Sequence, residues 1–125
     1  MSIPVEIPYL AEALGEYDWA YLLTLRGDGR SHVVAVTPEW EGELLSTPVG
    51  KGTAAGASER PTVTLCYPPR ERDGYSLIVD GTASVDGKTL RFAPEWAVLH
   101  RPAPEGFGGS STGCGGDCVP VTSPD

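Results

Sequence analysis

The sequence predicts a mainly β domain: six antiparallel strands curled into a closed or half-closed barrel, with two short helices. Three observations carry this expectation. Short runs rich in β-branched and aromatic residues recur from Trp19 to His100, and such residues suit a pleated, half-buried surface. Asp-Gly pairs at Asp28-Gly29 and Asp86-Gly87 lie between apolar runs, where a tight hairpin needs residues that accept positive φ. Gly and Pro divide the remaining runs at short, regular intervals, the spacing of an all-β barrel.

Residues 5–14 read as a short helix. Pro8 suits its first turn, where the missing N–H is no loss. Leu10, Ala13 and Leu14 then share a face at i, i+3, i+4 spacing, and Gly15 supplies a stop. Trp19–Leu25 is the first strand, followed by a type I′ turn about Asp28-Gly29. Residues 31–40 return as the second strand, whose continuous apolar stretch predicts burial on both faces, with Pro38 marking a bulge or an edge. After a turn at Glu41-Gly42 comes the third strand, Glu43–Thr47. The small residues that follow form a weak second helix over Thr53–Ser58, with Gly56 inside it and Pro61 ending it. Thr62–Tyr67 is the fourth strand, Val63 and Leu65 inward and Thr62 and Thr64 outward. Tyr75–Val85 is the fifth, bent at Gly81. A second type I′ turn at Asp86-Gly87 leads into the sixth, Lys88–Phe92, continued over Glu95–His100 beyond Pro94. Residues 1–101 thus form one domain. Residues 102–125 form a tail dominated by Gly, Pro, Ser and Thr, either flexible or draped over a partner surface.

A chain of 125 residues, 40% hydrophobic and 21% charged, has the composition of an ordinary globular domain with a modest core. Its net charge of −8 repels phosphate backbones and anionic lipid, which argues against nucleic-acid and membrane partners. Any phosphorylated ligand would need local cations and backbone N–H groups. No apolar run approaches the ~20 residues that span a bilayer. Met1–Tyr9 lacks the basic-then-apolar layout of a signal peptide, so a cytoplasmic location is expected. Three cysteines without an export signal argue against a disulfide framework.

From Trp19 to about Arg101 the chain resembles the pyridoxamine 5′-phosphate-oxidase-like split β-barrel family, including its deazaflavin-using actinobacterial relatives. Four pieces carry the resemblance. Ala20–Leu25 followed by Gly27-Asp28-Gly29-Arg30-Ser31-His32-Val33-Val34-Ala35-Val36 is similar to the family's T-x-x-DG-x-P-H-x-x-P-V hairpin. Leu44-Leu45-Ser46-Thr47 is similar to its strand before the phosphate loop. Gly50–Ser58 running into Arg60-Pro61-Thr62-Val63-Thr64-Leu65 is similar to its S-x-K-A-x-N-L-x-x-x-P-R-V-x-L segment. Val79-Asp80-Gly81-Thr82-Ala83 is similar to its V-x-G-x-A.

The resemblance implies a six-stranded antiparallel split β-barrel in a homodimer, with cofactor sites at the subunit interface. It implies an oxidoreductase that uses FMN, or alternatively deazaflavin F420, on a small-molecule substrate. By position, Val36, Thr37 and Pro38 would face the ring, and Ser46, Thr47, Lys51, Gly52 and Thr53 the phosphate. Lys51-Gly52-Thr53 at a helix start offers a cation, free N–H groups, a hydroxyl and the favourable dipole end. The plainer reading of Lys51 is a solvated loop lysine. The sequence departs from the family where Thr53 and Ala55 stand at positions usually held by cations and Gly56 at one usually held by Asn. Each charge-assisted bond to phosphate so lost weakens binding by roughly 1.5–3 kcal/mol. Arg30 or Arg60 are the candidates to replace them. The alternatives are a non-catalytic protein of the same fold holding a flavin, haem or tetrapyrrole, or a redox- or metal-responsive module acting through Cys114 and Cys118.

Trp40 and Trp96 read as core or interface residues, or as stacking surfaces for a ring, and Trp19 as core. His32 and His100 lack the spacing of a zinc site. His32 reads as a structural hydrogen-bonding residue, with a catalytic part left open for His100. Cys114 and Cys118 make an incomplete zinc site or a strained, labile disulfide, and otherwise two thiols in a tail. Cys66 reads as a core residue.

Overall fold

The computed structural model describes residues 2–103, so the tail with Cys114 and Cys118 lies outside the described residues. Eight strands form one antiparallel sheet: β1 (Ser2–Val5), β2 (Ala20–Leu25), β3 (Ser31–Val36), β4 (Glu39–Glu41), β5 (Leu44–Pro48), β6 (Thr62–Tyr67), β7 (Ser76–Asp86) and β8 (Thr89–His100). Two helices complete it, α1 (Leu10–Leu14), entered through a 3₁₀ turn at Ile7–Tyr9, and α2 (Lys51–Glu59). The expected strand count of six thus becomes eight, for two reasons. Ser2–Val5, whose last residue opens the helix expected over 5–14, pairs with the end of β8 from Ser2↔His100 to Val5↔Ala97, and the helix begins only at Leu10. Pro4 is tolerated there because, among the described residues, β1 pairs on one side only. The strand expected over residues 31–40 breaks at Thr37-Pro38 into β3, which pairs with β2, and β4, which pairs with β5.

That break makes the barrel. The neighbours run β3-β2-β6-β7-β8-β5-β4, so β3 and β4 end the path. Laid flat, six strand spacings of ~4.8 Å would separate them by about 29 Å. Yet the three peptide steps from Val36 to Glu39 reach at most about 11 Å. The sheet must therefore curl until its two edges approach. β8 is the axis of the arrangement. It pairs with β7 along its length, with β5 over Thr89–Phe92 and with β1 over Ala97–His100.

The inner face is apolar: Leu22, Leu45, Leu65, Leu77, Val79, Leu90 and Phe92 are almost wholly buried, closed from one side by Leu10 of α1. Val63 and Leu65 point inward as expected. Where β7 crosses β8 the register slips at Asp80/Gly81, with Glu95 as the extra residue beside Pro94. A Cβ on Gly81 would overlap the Ala93 carbonyl oxygen and the Phe92 ring, so the bend needs glycine there.

Neither Asp-Gly hairpin is the expected type I′, which needs two residues of positive φ. Gly29 has φ 88° and no non-glycine residue among the described residues has positive φ. Gly29 N–H donates to the Arg26 carbonyl at 2.9 Å and Arg26 N–H to the Arg30 carbonyl at 2.8 Å. This is a three-residue loop, a type I turn with Gly29 in the bulge. At the other hairpin Asp86 pairs with Thr89, leaving Gly87 (φ 65°) and Lys88 as the loop. Positive φ at the first loop residue alone is the type II′ pattern.

Burial on both faces of residues 31–40 is not found. Along β3 Ser31, Val33 and Ala35 are exposed, and only Val36 is buried. Trp19 is not core either; at 37% exposure it meets Tyr21 edge-on at 4.7 Å. Cys66 is half-buried on the same outer face, opposite Tyr21, and burial pushes its thiol up.

Candidate functional site

The open end of the barrel at the β2–β3 hairpin is covered by α2. On the inner face Thr24 stands opposite His32. The His32 Nε2 lies 3.1 Å from the Thr53 Oγ1 in the first turn of α2, which ties the helix to the sheet. This hydrogen bond is the structural role expected of His32. Farther along the helix Gly56 lies close over β2. A Cβ there would come 3.2 Å from the Leu25 carbonyl oxygen and 3.7 Å from Thr24 Oγ1. The small residues of α2, weak helix formers alone, thus let it lie close against the strand.

Between hairpin and helix runs a groove of about 390 Å³, lined among others by Thr24, Arg26, His32, Gly52, Gly56 and Glu59. Gly50 caps α2 without a side-chain hydrogen bond, and the first intrahelical bond runs from Ala54 N–H to the Gly50 carbonyl at 2.9 Å. The N–H groups of Lys51, Gly52 and Thr53 therefore have no partner within the helix. Thr24 Oγ1 is buried and has no partner among the described residues.

The eight residues expected at a cofactor fall on three parts of the chain: the start of α2, β5 and the β3–β4 crossover. Lys51 and Gly52 are exposed at the start of α2, and Thr53 is buried on His32. Thr47 is buried, with its Oγ1 donating to the Pro48 carbonyl at 3.3 Å. Ser46 is half-buried on β5, between Glu39 and Arg91 of the neighbouring strands. Val36 points into the core at the far end of β3, Thr37 is exposed, and Pro38 lines a second cavity. That cavity, of about 200 Å³, is walled by Leu14, Tyr17, Pro38, Trp40 and Tyr67. Trp40 thus flanks a cavity, and Trp96 is exposed at 51% on the outer face. His100 Nδ1 lies 3.0 Å from Ser2 Oγ, joining β8 to β1.

Arg30 and Arg60, the expected substitutes for missing cations, do not line the groove. Arg30 is turned to Asp28 at 4.0 Å and Arg60 to Glu59 at 3.2 Å. Arg26 lines it instead, and makes no ion pair among the described residues. Among the described residues no group of three or more His, Cys, Asp or Glu could hold a metal ion, and no helix is long and apolar enough to cross a membrane.

The outer face of the sheet is the other candidate surface. Pairing sets Val33, Leu23, Thr64, Asp80 and Trp96 in one row across five strands. The next row holds Ala35, Tyr21, Cys66, Ile78 and Val98. Trp19, Tyr21, Leu25, Val33 and Trp96 are all exposed there, and the only carboxylate in these two rows, Asp80, accepts a hydrogen bond from Thr64 Oγ1 at 2.5 Å.

A single curled sheet with a two-residue crossover between its edges and a short helix over its mouth is the split β-barrel of the pyridoxamine 5′-phosphate-oxidase-like proteins. Among solved structures the fold is shared with an F420 reductase, at a TM-score of 0.56 and 17% identity over 67% of this chain and 92% of that one. It is shared with the FAD-binding protein of Mycobacterium smegmatis, at 0.61 and 14% over 79% and 97%. An FAD-binding protein of Mesorhizobium loti matches at 0.62 and 12% over 79% and 96%. In sequence the chain is 37% identical, over 96% of its length and 96% of theirs, to the uncharacterized protein Mb0449c of Mycobacterium bovis and to its counterpart of Mycobacterium tuberculosis. The chain belongs to the family of these two mycobacterial proteins. No protein-family model matches it.

Proposed function

We propose that the chain is one half of a homodimeric oxidoreductase that binds FMN, with F420 as the alternative, and acts on a small molecule. The observation that carries this reading is the fold, which proteins named F420 reductase and FAD-binding protein share. Three features of the chain support it. The uncapped start of α2, with Lys51 beside three free N–H groups, suits a phosphate. The apolar outer face suits a second copy of the chain, since exposed patches of this kind mark interfaces. The unpartnered Thr24 hydroxyl and the groove beside it fit a polar ligand group. When bound, a flavin supplies hydride transfer, and the protein's part is to hold and orient it.

The test is a fluorescence titration of the purified protein with FMN and, separately, with F420, repeated on Lys51→Ala. Saturable binding of one cofactor, weakened about tenfold or more in the variant as the loss of one charge-assisted bond implies, supports the reading. Binding of neither cofactor sinks it. A second reading, a ligand-binding protein without turnover, is favoured by one observation: the first turn of α2 carries a single charged side chain, Lys51, and its Thr53 hydroxyl is already engaged by His32. Steady substrate reduction by the loaded protein would exclude it.

A further inference from the structure

We infer that the cavity between α1 and the β3–β4 crossover is a binding site for a small organic cation, a primary ammonium group on a compact apolar body. The inference does not depend on the cofactor reading. Of the eight residues expected at a cofactor, only Pro38 lines this cavity.

The lining is chemically one-sided. Tyr17 and Asp18 reach it from the loop after α1, Glu39 and Trp40 from β4, and Tyr67 from the end of β6. Three aromatic rings thus wall it, and its two charged side chains are both carboxylates. Among the described residues no Lys, Arg or His lines it. Glu39 has no hydrogen bond or ion pair among the described residues. Asp18 accepts both bonds from Arg70 on Oδ1, at 2.9 and 3.1 Å, so its Oδ2 stays open.

Tyr67 is an independent observation. It is 4% exposed, and its hydroxyl has no hydrogen-bond partner among the described residues. The one wholly enclosed, unpartnered side-chain oxygen among them is Thr24 Oγ1. The Tyr67 hydroxyl therefore keeps an open side, and the space that Tyr67 lines is this cavity. A buried phenol hydroxyl ordinarily has a partner. Tyr17 does not supply it: its own hydroxyl donates to the Tyr75 carbonyl at 2.7 Å, and its ring meets Tyr67 edge-on at 6.0 Å.

Charge and shape select the guest. Aromatic faces attract cations, and an anion would meet two carboxylates in a chain of net charge −8. Among the described residues no group of three or more His, Cys, Asp or Glu could hold a metal ion, and aromatic walls add no ligands to one. An ammonium group carries three N–H donors. The cavity offers it three open acceptors: the Tyr67 hydroxyl, the Glu39 carboxylate and Asp18 Oδ2. A volume of about 200 Å³ is below that of pockets for drug-sized ligands, so the body of the guest is compact.

The experiment is a calorimetric titration of the full chain at neutral pH with phenethylammonium, and with phenethyl alcohol and hydrocinnamate as its neutral and anionic counterparts. The ammonium should bind at least about tenfold more tightly than the alcohol, and hydrocinnamate should not saturate. Tyr67→Phe, which keeps the ring, should weaken the ammonium by about tenfold through loss of one charge-assisted bond. Glu39→Gln and Trp40→Leu, at exposed positions of β4, should each weaken it by about threefold. Equal affinity for ammonium and alcohol would make the cavity a plain apolar cleft and overturn the inference, as would an ammonium that does not saturate. These comparisons of probes use the wild type alone and do not rely on the variants folding. Repeating the titration with FMN present separates this site from the cofactor's. Unchanged ammonium binding supports the inference, whereas competition would assign the cavity to the cofactor and overturn it. If no flavin binds, the cofactor reading fails and the ammonium site is decided by the three probes.

Discussion

Tyr67 stands at the inward end of β6, 4% exposed, and burial pushes its phenol above the ordinary value near 10. Tyr17, which donates to the Tyr75 carbonyl at 2.7 Å, is raised too, by burial and then by Glu16. The folded state favours the neutral phenol, whereas the unfolded chain ionises at the ordinary value. Their contribution is therefore complete below about pH 10 and is lost as the pH rises toward the folded values. The urea midpoint should hold steady from neutrality to about pH 9 and fall above about pH 10, and Tyr67→Phe should flatten that fall. A midpoint that falls equally in the variant would place the cause elsewhere. Thr24 offers the opposite test. Replacing its unpartnered buried hydroxyl in Thr24→Val should stabilise the protein by about 1 kcal/mol in urea unfolding, because no bond is lost and a desolvation cost is removed. Residue-level features of the groove were only partly legible in the sequence. A two-residue I′ loop at Asp28-Gly29 would set Leu25, which faces outward, opposite His32. The three-residue loop sets Thr24 there instead, and a slip of one residue exchanges the faces of a strand. Turn type, which depends on the φ of Asp28, decides whether His32 looks into the groove. The motif alone does not fix it.

At the scale of elements, the first helix and the long strands could be read from periodicity and the second helix from its run of small residues, but the breaks could not. Val63 and Leu65 alternate with threonines, and their inward side follows from that pattern. The β3–β4 break lies within an apolar run that local propensity reads as continuous. Pro38 marks the spot, but only the pairing of β4 with β5 shows that the chain there crosses from one edge of the sheet to the other. β1 went unseen because its four residues, with Pro4 among them, are a strand only through their pairing with β8. Gly81, expected as a bend, is a site of close approach. Gly81→Ala should cost about 3 kcal/mol, the upper range for overpacking, since the neighbouring atom is a backbone oxygen that cannot rotate away. Thermal or urea unfolding measures it, and an unchanged midpoint would contradict the bulge geometry. Gly52→Ala, where the added Cβ is free, is the matched control.

For the whole molecule, the apolar outer face predicts association. Sedimentation should give a dimer for the wild type and a monomer for Val33→Asp, whose side chain is 50% exposed at the β3 edge of that face. A monomeric wild type would remove the interface from the proposal. The placing of β8 has a consequence for synthesis. Its partners β1, β5 and β7 all precede it, and β1 has no other among the described residues. A nascent chain emerging N-terminus first therefore holds β1 with an open edge until residues 97–100 clear the ribosome. Contacts of such long sequence separation are slow to form, and unpaired strands are exposed to mispairing meanwhile. β8 is the last strand of the described residues, so translational arrest anywhere before residue 89 leaves a chain that lacks the strand pairing with β1, β5 and β7, a substrate for chaperones rather than a smaller version of the protein.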